Sequence, residues 1–114
     1  MARSDENRIQ QTIRLLSRGP VRLFRNNTGA LKDATGRLVR YGLCTGSSDL
    51  IGLRTITVTP DMVGQQLAVF TAIEVKDRSR PTPEQLAFIA MVHRHGGLAG
   101  IAHNDEEARA ILRL

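Results

Sequence analysis

The chain has 114 residues, 41% of them apolar and 24% charged, which predicts one globular domain over residues 1–114. A single cysteine excludes an internal disulfide and metal sites built on several cysteines. The polar start and the lack of a run of roughly 20 apolar residues predict a cytoplasmic protein rather than a membrane or secreted one. The formal net charge is +5, and all the cations except Lys32 and Lys76 are arginines, whose planar side chains suit phosphate groups.

The first half of the chain predicts a helix followed by extended segments. Apolar residues recur at helical spacing over residues 5–17, and Gly19-Pro20 ends that helix. Asn26-Asn27-Thr28-Gly29 is typical of a turn. The extended segments are a short apolar run and two strands, over residues 21–24, 37–43 and 50–59.

The second half predicts a strand, a helix, a strand and a final helix. Residues 67–75 are apolar enough for a strand buried on both faces. Thr82, Pro83 and Gln85 have the spacing of a capping box at a helix start, and Gly96-Gly97 ends that helix. A strand over residues 98–102 and a helix over residues 105–112 follow, the latter opened by Asn104 and Glu107.

These elements predict an α/β fold of order αβββαβα. The last strand, helix and strand imply a parallel pair joined by a crossover, and the three earlier strands are close enough in sequence for a meander. We therefore expect one mixed sheet with helices on its faces.

Charge is unevenly distributed along the chain. Residues 1–48 hold nine cations and three acids, whereas residues 49–77 hold two cations and four acids. An acidic spot in a basic protein suits a metal-dependent nuclease, since the carboxylates hold the cation and the surrounding cations hold phosphates. The other interpretation is solvated charge that happens to cluster.

The sequence Glu74-Val75-Lys76 ends the most apolar strand. Because side chains alternate along a strand, Glu74 and Lys76 are predicted on one side. Asp49 begins the preceding strand, and antiparallel pairing of the two strands would bring Asp49 close to Glu74. Two carboxylates, with the carbonyl of Val75, suit Mg²⁺, and Lys76 could position water or neutralise developing charge. This is the chemistry of phosphodiester hydrolysis.

Further motifs surround these residues in a fixed order. They are Glu6-x-x-Ile9-Gln10, Phe24-Arg25-Asn26-Asn27-x-Gly29, Gly42-Leu43-x-x-Gly46-Ser47-Ser48-Asp49-Leu50-Ile51-Gly52, Ile73-Glu74-Val75-Lys76, Thr82-x-x-Gln85-x-x-Phe88 and Gly96-Gly97-x-Ala99-Gly100. This pattern resembles the virus-type replication-repair nuclease domain (VRR-NUC) of the PD-(D/E)XK nuclease superfamily, from about Glu6 to Leu112. Ser48 stands where the superfamily name has proline, which is usual for this branch.

The resemblance implies a restriction-endonuclease-like fold and DNA cleavage that depends on Mg²⁺ or Mn²⁺. Stand-alone bacteriophage members resemble nucleases of branched DNA, such as Holliday junctions, and similar short members form homodimers. The family's metal ligands and catalytic lysine map to Asp49, Glu74 and Lys76. Its helix acid, a further metal-ligand candidate, maps to Glu6, and its helix glutamine, expected to be catalytic, maps to Gln85.

Each candidate also has a structural interpretation. Glu6 could complement a helix dipole, Gln85 could act only as a cap, and Asp49 could be a turn residue. The loop before the strand over residues 50–59 and the turn after residue 24 could be plain connections. They could also bind a DNA strand, since arginine, amide and hydroxyl side chains make many of the contacts with phosphate. The DNA-binding candidates are Arg25, Asn26, Asn27, Ser47 and Ser48.

Three functions remain open from sequence. The first is a small dimeric endonuclease for branched DNA. The second is a non-catalytic DNA-binding module of the same fold, and the third is an interaction protein whose basic face binds an acidic partner. The three histidines lack metal-ligand spacing, and a protease built on Cys44 has no supporting signature.

Overall fold

Three helices and six strands form the part of the chain that the computed structural model describes, residues 2–114. They divide into two compact units, Met1–Arg54 and Thr55–Leu114. The structure therefore combines small antiparallel and parallel sheets with helices, which confirms the predicted α/β class. Within residues 2–114, no helix has the length and apolar character that a membrane crossing requires.

The first unit consists of one helix and two antiparallel strand pairs. The strand β1 (Val21–Arg25) pairs with β4 (Leu50–Arg54), so that Arg25 lies opposite Leu50. The strands β2 (Gly29–Lys32) and β3 (Leu38–Tyr41) form a hairpin between them. The helix α1 (Ala2–Arg14) precedes β1, and the Ser17 hydroxyl accepts a hydrogen bond from Leu23 N at 2.8 Å.

The turn of the β2–β3 hairpin is closed by Asp33. Its Oδ1 accepts hydrogen bonds from the Thr35 hydroxyl at 2.6 Å and from the backbone N–H groups of Thr35 and Arg37, each at 2.9 Å. These hydrogen bonds, led by that from the Thr35 hydroxyl, lower the pKa of Asp33. Gly36 has a φ of 83°, which a glycine adopts at little cost.

The second unit is a strand, helix, strand and helix. The strands β5 (Thr71–Val75) and β6 (Leu98–Ala102) pair in parallel, and α2 (Pro83–Arg94) connects them. This confirms the predicted parallel pair. The helix α3 (Asp105–Leu112) follows β6, and a single 3₁₀ turn spans Pro60–Met62. Val92 of α2 is fully buried, and Ala99 and Ala102 of β6 are also buried, so the core of this unit lies between this helix and this sheet.

The predicted order αβββαβα is wrong in its strand count. Five strands lie between α1 and α2, because residues 21–25 form a full strand and residues 29–32 form a strand that the turn signal concealed. The predicted meander is wrong where it pairs residues 37–43 with residues 50–59, since β3 pairs with β2 and β4 pairs with β1.

The predicted element ends also shift. The first helix runs from Ala2 to Arg14 rather than over residues 5–17, because its last turn tightens into i→i−3 hydrogen bonds such as Leu16 N to Ile13 O, at 2.9 Å. The strands predicted over residues 50–59 and 67–75 are shorter, because each extends only as far as its five-residue partner.

Gly52 is expected to be intolerant of any side chain. A Cβ built on Gly52 would lie 1.8 Å from the carbonyl oxygen of Arg22, which is backbone of the paired strand. We expect Gly52→Ala to lower the free energy of unfolding by at least about 1–3 kcal/mol, measured by urea denaturation. The control is Gly100→Ala, whose Cβ meets the flexible end of Ile111 at 2.9 Å and whose cost should be smaller. Equal midpoints for the two variants would contradict this expectation.

Candidate functional site

The predicted site residues of the first unit, except Glu6, lie where β1 ends and β4 begins. Arg25 is the last residue of β1, and Asp49 directly precedes β4. The N–H of Asn26 donates to the Asp49 carbonyl at 2.8 Å, which extends the ladder by one bond. We call this group of residues the Asp49 edge: Arg25, Asn26, Asn27, Ser47, Ser48 and Asp49.

Asn26 holds the loop that leads into Asp49. Its Nδ2 donates to Ser47 Oγ at 2.7 Å and to the Ser48 carbonyl at 2.9 Å. Its Oδ1 accepts a hydrogen bond from Leu43 N at 2.9 Å. Ser47 Oγ in turn donates to the Cys44 carbonyl at 2.6 Å, which closes the loop on itself. The structure thus gives Asn26 and Ser47 contacts within the protein, where the sequence predicted contacts with DNA.

The predicted residues of the second unit form a group at the end of β5. Lys76 Nζ lies 3.5 Å from Glu74 Oε1, and the side chains are 14% and 32% exposed, respectively. Lys76 N donates to the Ala102 carbonyl at 3.1 Å, so the pairing with β6 continues past Val75. The alternation of the strand therefore places Glu74 and Lys76 on one side, as the sequence predicted.

Gln85 connects the start of α2 to this carboxylate. The capping box is confirmed, because Gln85 N donates to Thr82 Oγ1 at 3.1 Å and Thr82 N donates to Gln85 Oε1 at 2.9 Å. The other half of the same amide is used as well, because Gln85 Nε2 donates to Glu74 Oε1 at 2.7 Å. Gln85 is thus both a cap and a partner of Glu74, and we call Glu74, Lys76 and Gln85 the Glu74 cluster.

Both contacts of the Glu74 carboxylate fall on the same oxygen. Lys76 Nζ and Gln85 Nε2 both approach Oε1 rather than Oε2. A carboxylate held by one oxygen keeps the lone pairs of the other for a cation or for water. A cavity of about 250 Å³ opens beside it, lined by Ala72, Ile73, Glu74, Glu84, Gln85, Phe88 and Ile89.

Glu6 and the histidines lie outside these two groups. Glu6 is an exposed residue of α1, in the second turn of the helix. His93 Nε2 donates to the Ala99 carbonyl at 2.7 Å, and His95 Nδ1 lies 2.7 Å from Thr55 Oγ1. Both rings serve contacts within the second unit, in keeping with their lack of metal-ligand spacing.

His103 has a partner that the sequence did not suggest. Its N–H donates to Glu107 Oε1 at 2.7 Å, and its Nδ1 lies 2.8 Å from the same oxygen. These hydrogen bonds, led by that from the backbone, lower the pKa of Glu107. The capping box predicted at α3 therefore forms in only one of its two halves. Asn104 Oδ1 accepts from Glu107 N at 2.8 Å, as predicted, but the Glu107 carboxylate accepts from the N–H of His103, one residue before Asn104.

The donor set for a metal consists of hard oxygen ligands. Within residues 2–114, no three His, Cys, Asp or Glu side chains cluster as metal ligands do. Mg²⁺ needs only one or two carboxylates, because it retains several of its waters. Glu74, which Lys76 and Gln85 contact through Oε1, is one such carboxylate in the second unit, and Asp49 is an exposed carboxylate of the first. The chemistry of these residues therefore fits Mg²⁺ or Mn²⁺.

Sequence reasoning missed the second hydrogen bond of Gln85 and the role of Asn26. A signal for the first was present, because Gln85, Ile89 and Val92 have the i, i+4, i+7 spacing of the packed face of α2. A polar residue on such a face needs a partner. No local signal marked Asn26, since its partners lie 17 to 22 residues away.

A comparison with protein families gives one result of direct relevance. The model of the VRR-NUC domain matches residues 6–106, which is nearly the whole chain. The matched segment contains the whole of the Asp49 edge and the Glu74 cluster. Searches of curated proteins and of solved structures gave no significant match.

Proposed function

The chain belongs to the VRR-NUC domain family, and we propose that it is a metal-dependent endonuclease that hydrolyses phosphodiester bonds in branched DNA, such as Holliday junctions. Family membership supports a nuclease module with DNA as its substrate. The proposal also takes the fold to be restriction-endonuclease-like, in keeping with the mixed α/β character of the chain.

The observation that carries this proposal is the arrangement at Glu74. A lysine and a glutamine converge on one carboxylate oxygen at the end of a strand, at 3.5 and 2.7 Å. If the Glu74–Lys76 ion pair served only stability, it would not need Gln85 as a third partner. A partly exposed ion pair also contributes little to the free energy of unfolding. A carboxylate fixed on one oxygen, with an ammonium beside it, is suited to hold a cation and to meet a phosphate.

We assign the metal to the carboxylates of Asp49 and Glu74, with the Val75 carbonyl and Glu6 as further ligand candidates. Mg²⁺ or Mn²⁺ supplies Lewis-acid stabilisation of the charge that develops on the phosphate. Gln85 keeps the carboxylate of Glu74 in one orientation through its hydrogen bond to Oε1. A fixed orientation is what a positioned ligand requires.

Lys76 acts on the reacting groups. Its Nζ carries three N–H donors, and the contact with Glu74 Oε1 occupies the direction of only one of them. The others can donate to the attacking water or to a non-bridging phosphate oxygen, which neutralises developing charge. The side chain is 14% exposed, so it is held in place by its surroundings rather than free in solvent.

The DNA backbone is bound by cations of the first unit. Residues 1–48 hold nine cations and three acids, and Arg25 and Asn27 flank Asn26, whose N–H donates to the Asp49 carbonyl. Arginine forms planar contacts with phosphate, and such contacts position the nucleic acid without reading its sequence. A homodimer would place two such sites about a two-fold axis, which suits a four-way junction. A nuclease of this kind would meet its DNA in the cytoplasm of a bacterial host, as the bacteriophage-type resemblance suggests.

The test is cleavage of labelled four-way, splayed and linear DNA of one sequence, with Mg²⁺, with Mn²⁺ and with EDTA. We expect the four-way junction to be cut with either metal and to stay intact in EDTA. Binding that is tight and salt-sensitive, without cutting of any substrate, would instead identify a non-catalytic DNA-binding module. Equal cutting of linear and branched DNA would retain the nuclease and reject the preference for branches.

A further inference from the structure

We propose that Asn26 is the positioning residue of Asp49, through which the protein fixes the direction of the Asp49 carboxylate. This inference rests on the proposed function, since it takes Asp49 as a metal ligand. It differs from the expectation from sequence, in which Asn26 contacts DNA.

The first step concerns the two peptide groups that flank Asp49. The carbonyl of Ser48 accepts from Asn26 Nδ2 at 2.9 Å, and the carbonyl of Asp49 accepts from Asn26 N at 2.8 Å. One residue therefore holds the peptide plane on each side of the Asp49 Cα. Because these two planes set φ and ψ, they also set the direction of the Cα–Cβ bond. The side chain of Asp49 itself remains exposed.

The second step concerns the loop before Asp49. Asn26 Oδ1 accepts from Leu43 N at 2.9 Å, and Asn26 Nδ2 also donates to Ser47 Oγ at 2.7 Å. Both ends of the segment 43–48 are thus bound to one half-buried side chain. A loop tied at both ends has fewer conformations, so the residue that follows it is better defined.

The third step is the count of hydrogen-bond donors. A primary amide has two N–H groups, and both of those on Asn26 are used within the protein, on Ser47 and Ser48. Contact with a phosphate would therefore break one of these bonds. Asn27 is the exposed neighbour and remains the better candidate for a DNA contact.

The experiment separates metal binding from DNA binding. Mn²⁺ is titrated into the free protein by calorimetry, and a labelled four-way junction is bound in EDTA and followed by fluorescence anisotropy. We expect Asn26→Ala to weaken Mn²⁺ binding by about tenfold or more while the junction affinity stays within about twofold. Asn27→Ala is the matched control, and we expect it to leave the Mn²⁺ affinity unchanged.

Two milder variants keep the test decisive if Asn26→Ala does not fold. Asn26→Ser removes both amide donors and leaves the charge unchanged, so it should weaken Mn²⁺ binding as Asn26→Ala does. Ser47→Ala removes one of the two donor contacts and should cause a smaller loss. Folding of each variant is followed by thermal melting, so that a loss of metal affinity is read only from folded protein.

The outcomes distinguish this inference from the proposed function. Asp49→Ala is included, and if it binds Mn²⁺ as tightly as the wild type, the metal assignment itself is wrong. If Asp49→Ala loses the metal and the Asn26 variants keep it, the positioning role is rejected. A loss of junction affinity in Asn26→Ala without a change in Mn²⁺ affinity would show that Asn26 contacts DNA.

Discussion

Replacing Lys76 by alanine is expected to reduce the cleavage rate by at least about 100-fold while the protein still folds and binds DNA. The ammonium lies 3.5 Å from Glu74 Oε1 and is largely buried, so its removal takes away a fixed charge that solvent does not replace. The measurement is the single-turnover rate on a four-way junction at saturating Mn²⁺, with the junction affinity determined in EDTA. Affinity should change little, since Lys76 is one of sixteen cations.

The chain offers a matched control, because Lys32 is its other lysine. Lys32 lies in β2 and is exposed, so Lys32→Ala removes the same charge and leaves Glu74, Lys76 and Gln85 in place. Because Lys32 is one of the nine cations of residues 1–48, Lys32→Ala should lose a little junction affinity. With protein in saturating excess over the junction, we expect it to cut at the wild-type rate. A Lys76→Ala variant that melts at a lower temperature and still cuts at that rate would show that the Glu74–Lys76 pair is only structural.

The features that could be predicted from the sequence are those encoded by neighbours along the chain. The contact of Glu74 with Lys76 follows from the period of a strand, and the start of α2 follows from Thr82, Pro83 and Gln85. The parallel pair of β5 and β6 follows from the order strand, helix, strand. Each of these depends on residues a few positions apart or on a rule of connection.

The features that could not be predicted depend on partners far along the chain. The strand β2 is four residues long and begins at Gly29, the last residue of a turn signal, so only its pairing with β3 defines it. Asn26 lies in a polar turn of the kind that contacts DNA, which suggested a DNA contact. Its observed hydrogen-bond partner Ser47 lies 21 residues away, so the sequence around Asn26 does not indicate it. Asp49 and Glu74 lie in different units, and their convergence on one metal stays a prediction.

The second large effect is expected at Gln85, where two roles of one side chain can be separated. Gln85→Glu retains an acceptor for Thr82 N, and glutamate serves a capping box as well as glutamine does. It loses the Nε2 donor, however, and brings a second carboxylate against Glu74 Oε1. We expect Gln85→Glu to melt near the wild-type temperature and to cut about 10- to 100-fold more slowly, since partners that orient a metal ligand contribute effects of this size.

The complementary variant is Thr82→Ala, which removes the hydroxyl that accepts from Gln85 N and leaves the contact of Gln85 with Glu74 in place. It should lower the free energy of unfolding by about 1 kcal/mol and leave the cleavage rate close to the wild type. The two variants are thus expected to change different quantities: Thr82→Ala lowers stability, and Gln85→Glu lowers the cleavage rate. If both lower stability and neither slows cleavage, Gln85 is a cap alone, and the hydrogen bond to Glu74 only fastens α2 to β5. If the cleavage loss appears only in Gln85→Glu, orienting Glu74 is the function of that amide.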